Sequence, residues 1–158
     1  MKVIIGPHSD DANTPRFEYV GLDKYDTFSM DNTLAVIIVP MLKQLRATKH
    51  GSPNVDDEHV PEHLHSTNAE VKENDWDIDS NWHKRWDYVL DEMIWAMTQI
   101  ASYDDKGVFF DHSAVVESDK IMTQLNNIKV DSVGLDAHEN RKQNGCMLFG
   151  VYFQCLWD

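Results

Sequence analysis

Between residues 81 and 100 the chain reads NWHKRWDYVLDEMIWAMTQI, with apolar positions recurring at steps of three and four. Trp82, Trp86, Val89, Leu90, Met93, Ile94 and Met97 fall on one stripe, the mark of an amphipathic helix. Between them His83, Lys84, Arg85, Asp87, Asp91 and Glu92 make a polar face dense in groups able to bind or catalyse. A second helix is predicted over residues 32–48, with Ser29 or Asp31 as its cap. Leu34, Ile37, Ile38, Met41, Leu42 and Leu45 form its apolar face, and Val36 and Val39 widen it. So wide a face implies a central helix packed on several sides. Pro40 inside it removes a backbone donor and is expected to kink it. His50, Gly51, Ser52 and Pro53 then stop it.

The other segments are shorter or less regular. Val3, Ile4 and Ile5 predict a strand closed by Gly6-Pro7, and after the polar run HSDDANTP a second strand is predicted over 17–22, where Phe17 and Tyr19 alternate. Residues 54–80 carry no sustained apolar period and predict a long irregular loop, with one helical turn near 61–65 and with Trp76 and Ile78 docking its end on the core. A turn at 103–107 (Tyr103 to Gly107), a short strand at Val108, Phe109 and Phe110, and a helix over 113–126 follow. The last helical element is predicted over 132–157. Gly145 and Gly150 within it each cost up to about 1 kcal/mol relative to alanine, so another backbone is expected to press on that face. The fold class predicted is α+β, mainly α-helical: three to four helices around the central Pro-kinked helix, with a small N-terminal β-hairpin, in one domain spanning 1–158.

Composition narrows the partners. The 158 residues carry a net charge of −13, which disfavours attraction to nucleic-acid phosphates or an anionic membrane. It suits simple solubility or imitation of a nucleic acid's charge. Cys146 and Cys155 stand nine positions apart in one predicted helix, about 13 Å of rise, beyond disulfide reach. Free thiols fit a reducing cytoplasm. The N-terminal apolar run is too short for a signal peptide, and the longest run, 34–42, falls far short of a membrane span.

Three constellations hold candidate chemistry. In the acidic loop, His59, His63 and His65 stand among Asp56, Asp57, Glu58 and Glu62, but Pro61 interrupts them and no metal-site spacing frames them. His83, Asp87 and Asp91 stand at steps of four and line one helix edge, where a hydrolase would hold a divalent metal. A solvated face with ion pairs is the plain alternative. Arg46, Lys49, His50, Lys84 and Arg85 are notable because cations are scarce. Beside Trp82 and Trp86 they would hold a phosphate while a ring stacked on a base. The alternative is that the cations complement a helix dipole and the tryptophans are core. No nucleophile elbow, phosphate-cradling glycine loop or zinc-finger spacing occurs.

The strings MKVIIGP, DKYDTFSMDNTLAVIIVPMLKQLRATKHGSPNVDDEHVPEHL, HKRWDYVLDEMIWA and LFGVYFQCLWD together resemble an uncharacterised family of small proteins carried by tailed bacteriophages. The similarity covers nearly the whole chain. Its members often have a longer insertion after the first strand, where this chain has only HSDDANTP, so a ligand site built there would be missing. The resemblance implies an accessory role in the cytoplasm of an infected host cell, including sponges that sequester nucleotide immune signals without catalysis. On that expectation the chain is a homo-oligomer without cofactor or metal. It holds a small phosphorylated ligand through Arg46, Lys49, His50 and Arg85, with Trp86 or Tyr25 on the base. Two other readings stand beside it. One is a divalent-metal nucleotide hydrolase using Asp87, Asp91 and Glu92 with His83 or His59. The other is an acidic protein-binding or DNA-mimicking inhibitor of a host defence protein.

Overall fold

A computed structural model describes residues 2–6, 18–102, 104–117 and 120–157. Strands β1 (Lys2–Ile5) and β2 (Glu18–Gly21) pair antiparallel as the expected hairpin, with Val3 opposite Val20. Helix α1 (Met30–Thr48) follows, then an irregular segment with three short 3₁₀ turns, then α2 (Trp82–Ala101). A minimal second sheet joins β3 (Phe110–Asp111) to β4 (Lys129–Val130) around the short helix α3 (Ile121–Asn127), and α4 (Ser132–Val151) ends in a 3₁₀ turn, Phe153–Cys155. The architecture is α+β and mainly helical. The polar run at 8–15, Phe17 and Tyr103 lie outside the described residues.

Of the three long helices, α2 has the other two as its neighbours. The Asn32 amide donates to the Ile100 carbonyl at 2.9 Å, and Arg46 at the far end of α1 reaches Asp91. These contacts set α1 antiparallel to α2. On the other flank Arg141 meets Glu92, while Tyr152 just past α4 packs edge-on against Trp86, so α4 is antiparallel as well. The α2 stripe is as legible as its spacing promised. Trp86, Val89, Leu90 and Met93 are at most 1% exposed, and each such burial stabilises by roughly 1.5–3 kcal/mol.

Three local expectations change. Helix α1 continues through Pro40, but only Ala35 and Leu42 of its apolar residues are fully buried, and its main packing among the long helices is on α2. Trp76 and Ile78 do not dock the acidic segment, being 82% and 54% exposed; Val55 and Val60, nearer its start, enter the core instead. The helix expected over 113–126 is restricted to Ile121–Asn127, and Phe109 belongs to a 3₁₀ turn ahead of β3.

The two helical glycines part company. A Cβ on Gly145 would run into the Ala96 methyl and stand 2.7 Å from the Glu92 carbonyl oxygen, so α4 and α2 touch backbone to backbone there. A Cβ on Gly150 would meet nothing within 4 Å. Gly145→Ala is therefore expected to destabilise by about 1–3 kcal/mol through overpacking. Gly150→Ala should be neutral or stabilise by up to about 1 kcal/mol. Thermal unfolding followed by circular dichroism measures both, and equal effects would deny the close approach.

Candidate functional site

The polar residues of α2 do not form one face; they divide between its two flanks. Steps of four carry His83, Asp87 and Asp91 toward the end of α1, whereas Arg85 and Glu92, seven apart, lie on the other side. Each set meets a different neighbour.

At the α1 flank two candidate groups converge. Arg46 donates to both Asp91 carboxylate oxygens, Nε to Oδ1 at 2.9 Å and Nη2 to Oδ2 at 3.2 Å, and lies 3.3 Å from Asp87. Lys49 Nζ also sits on Asp87 Oδ1. The hydrogen bond to Asp91 raises the Arg46 guanidinium further above its ordinary value. One turn earlier on α2, Ser52 Oγ is 2.9 Å from His83 Nδ1, and the Trp82 indole donates to the Ser52 carbonyl at 3.1 Å. Cations thus stand where a metal held by Asp87 and Asp91 would have to sit, and carboxylates stand where a phosphate held by Arg46 and Lys49 would have to sit. His50 is exposed beside this junction.

Arg85 plays a different part from the one its sequence context proposed. It is 2% exposed and forms a two-pronged bond with Asp79, Nη1 to Oδ1 at 2.9 Å and Nη2 to Oδ2 at 2.7 Å, while Nη1 also donates to the Leu64 carbonyl. Its Nε makes no hydrogen bond and lies 4.0 Å from Asp57 Oδ1, at the edge of ion-pair reach. Asn81, 5% exposed, donates to the carbonyls of His63 and His65, and Asp57 accepts from the Ser66 hydroxyl at 2.6 Å. Tyr152 completes the clamp: its hydroxyl accepts from the Asp56 amide at 3.1 Å and lies 2.8 Å from His59 Nδ1. The segment 54–80 has little regular structure, yet much of it is bonded into a defined shape.

Burial corrects one of the two aromatic assignments. Trp86 is 1% exposed and belongs to the core, so it cannot face a base. Tyr25 is 70% exposed ahead of α1, with Lys24 Nζ 4.7 Å above its ring. The loop histidines are used separately: His59 on Tyr152, His65 on the Val60 carbonyl at 3.2 Å, and His63 outward.

Two features escaped the sequence. Glu92, though buried, is bound by both Arg141 Nε and Nη2 at 2.9 and 2.7 Å, and that guanidinium stacks 4.1 Å above Trp95. Asp105, His138 and Glu139 are the one group among the described residues whose donor atoms come close enough to share a metal. Lys142 Nζ already lies 2.6 Å from Asp105 and 2.8 Å from Glu139, so an ammonium supplies the positive charge there. Acidic residues scattered at 92, 105 and 139 have no common period, which is why neither arrangement shows along the chain.

Compared with protein-family models, with curated proteins and with solved structures, the chain matches none.

Arg85→Met leaves Asp79 buried without its counter-charge and is expected to cost about 3–5 kcal/mol. Arg46→Ala, at a partly exposed pair, should cost no more than about 1 kcal/mol. Chemical denaturation distinguishes the two, and similar losses would refute the clamp. The Arg85 hydrogen bond holds the Asp79 carboxyl below its ordinary range, and the Ser66 hydroxyl does the same for Asp57. A carboxyl depressed by folding contributes fully above its unfolded value, about 4, and that contribution is lost as pH falls through the folded one. Stability should accordingly fall below about pH 4, and the fall should be shallower in Arg85→Met.

Proposed function

We propose that the protein is a non-catalytic binding module that presents the acidic segment 54–80 to a cationic partner protein. The observation that carries this reading is the division of charge. Six cations, Arg46, Lys49, Arg85, Lys106, Arg141 and Lys142, are engaged with the chain's own carboxylates. Meanwhile Asp56, Glu58, Glu62, Glu70, Glu73 and Asp75 remain exposed on the clamped segment. A surface of one sign raises the encounter rate with an oppositely charged partner and repels phosphates. A segment already held by Arg85, Asn81 and Tyr152 loses less freedom on binding than a slack loop would.

Nucleotide capture asks Arg46, Lys49 and Arg85 to be available to phosphate, and a phosphate would first have to displace Asp87, Asp91 and Asp79. Hydrolysis asks Asp87 and Asp91 to hold a metal where Arg46 and Lys49 now lie. Both readings have less geometric support than the acidic one. In keeping with the resemblance to phage proteins, the partner surface would be a host protein's basic, nucleic-acid-binding face. No helix among the described residues is long and apolar enough to cross a membrane.

Isothermal titration against a panel of Lys- and Arg-rich peptides and against cyclic dinucleotides is the test. Binding of a cationic peptide is expected, weakening as salt rises. The combined variant Glu70→Gln, Glu73→Gln, Asp75→Asn should weaken it by roughly tenfold or more. Absence of heat with every cationic peptide, or a cyclic dinucleotide signal abolished by Arg46→Ala, would overturn the proposal.

A further inference from the structure

The apolar face of α1 has a second side that α2 does not cover. A trough of about 1050 Å³ lies between that side and the end of α4, walled by Ile38, Met41 and Leu45 on one bank and Phe149, Phe153 and Trp157 on the other. Its only polar lining residues are Gln44 and Thr48, and none of its lining residues is ionisable. Met30 and Leu34, on the same helical stripe as Ile38, Met41 and Leu45, are 55% and 44% exposed and extend the apolar surface toward the start of α1.

We infer that this trough is the contact face of a homodimer in which α1 of each copy lies in the trough of the other. Charge favours a second copy as the occupant. Two chains of −13 repel each other wherever their carboxylates meet, so they can associate only across an uncharged face, and this is one. A groove that selects a basic amphipathic helix is expected to carry acids along its lining, and this one carries none. Area points the same way. Met41, Phe153 and Trp157 are 62%, 61% and 64% exposed. With roughly 150–250 Å² for a fully exposed large side chain, these three with Met30 and Leu34 offer on the order of 600 Å² per copy. The partly buried lining residues bring that toward the roughly 800 Å² per partner of a standard interface, and beyond the patch a lone soluble protein commonly leaves bare. A two-fold arrangement suits it because one self-complementary surface then serves both copies. The trough shares no residue with segment 54–80, so self-association and capture of a cationic partner are read separately.

Sedimentation equilibrium of the full chain over a wide concentration range tests the dimer. The mass is expected to rise from 18.3 kDa to twice that value. Met41→Lys and Phe153→Glu should each raise the dissociation constant by roughly a hundredfold. Val108→Lys, at an exposed valine outside both the trough and segment 54–80, should leave it unchanged. Circular dichroism checks that each variant folds. Hydrogen exchange of the unaltered chain gives a second readout, with amides in the later half of α1 slowing as concentration rises. A chain monomeric at every concentration, or a dimer indifferent to both trough substitutions, would overturn the inference. So would a monomer that takes up an added amphipathic peptide in the trough.

Discussion

A charged group withdrawn from water must meet its counter-charge, and in this chain that requirement falls on α2 three times. Asp87 meets Lys49 and Arg46 of α1, Arg85 meets Asp79 of the acidic segment, and Glu92 meets Arg141 of α4. Each pairing names a different neighbour. Burial of Trp86, Val89, Leu90 and Met93 supplies the larger share of the stabilisation, but apolar attraction has no direction and would accept several slides of one helix along another. The ion pairs, with Gly145 against the Glu92 carbonyl, admit few such slides.

The same pairing shapes what the surface offers. A protein with fourteen basic residues and twenty-seven acidic ones has few cations to spare. Because Arg46, Lys49, Arg85, Lys106, Arg141 and Lys142 each pair with one of the chain's own carboxylates, the net charge is unchanged but few cations remain to offset the acids left over. The acidic segment gains from this twice. Arg85 orders it from beneath, and its outer carboxylates Glu62, Glu70, Glu73 and Asp75 stay exposed to solvent.

The apolar ledger is uneven. On α1 the residues facing α2 are covered, while Met30, Leu34, Val36 and Met41 stay open to solvent. The wide apolar face predicted for this helix is real, but within one chain only part of it finds a partner. Leu34 and Met41 are among the residues that the proposed dimer would cover.

The α2 stripe, the hairpin and the predominance of helix were legible along the chain because periods of 3.6 and 2 are local properties of adjacent residues. The cost attached to Gly145 was also legible, and the close backbone contact it called for is present. Which of the scarce cations would be free was not legible. Arg85 beside Trp82 and Trp86 reads as a ligand group until Asp79, six residues earlier, is seen folded back onto it. The trough was hidden for a related reason: its banks are supplied by Met41 and Phe153, whose separation of more than a hundred positions leaves no periodic trace. Sequence alone determines which residues seek burial and which seek charge. Tertiary structure decides who meets whom, because pairing energies depend on distance in space, and distance along the chain does not set it.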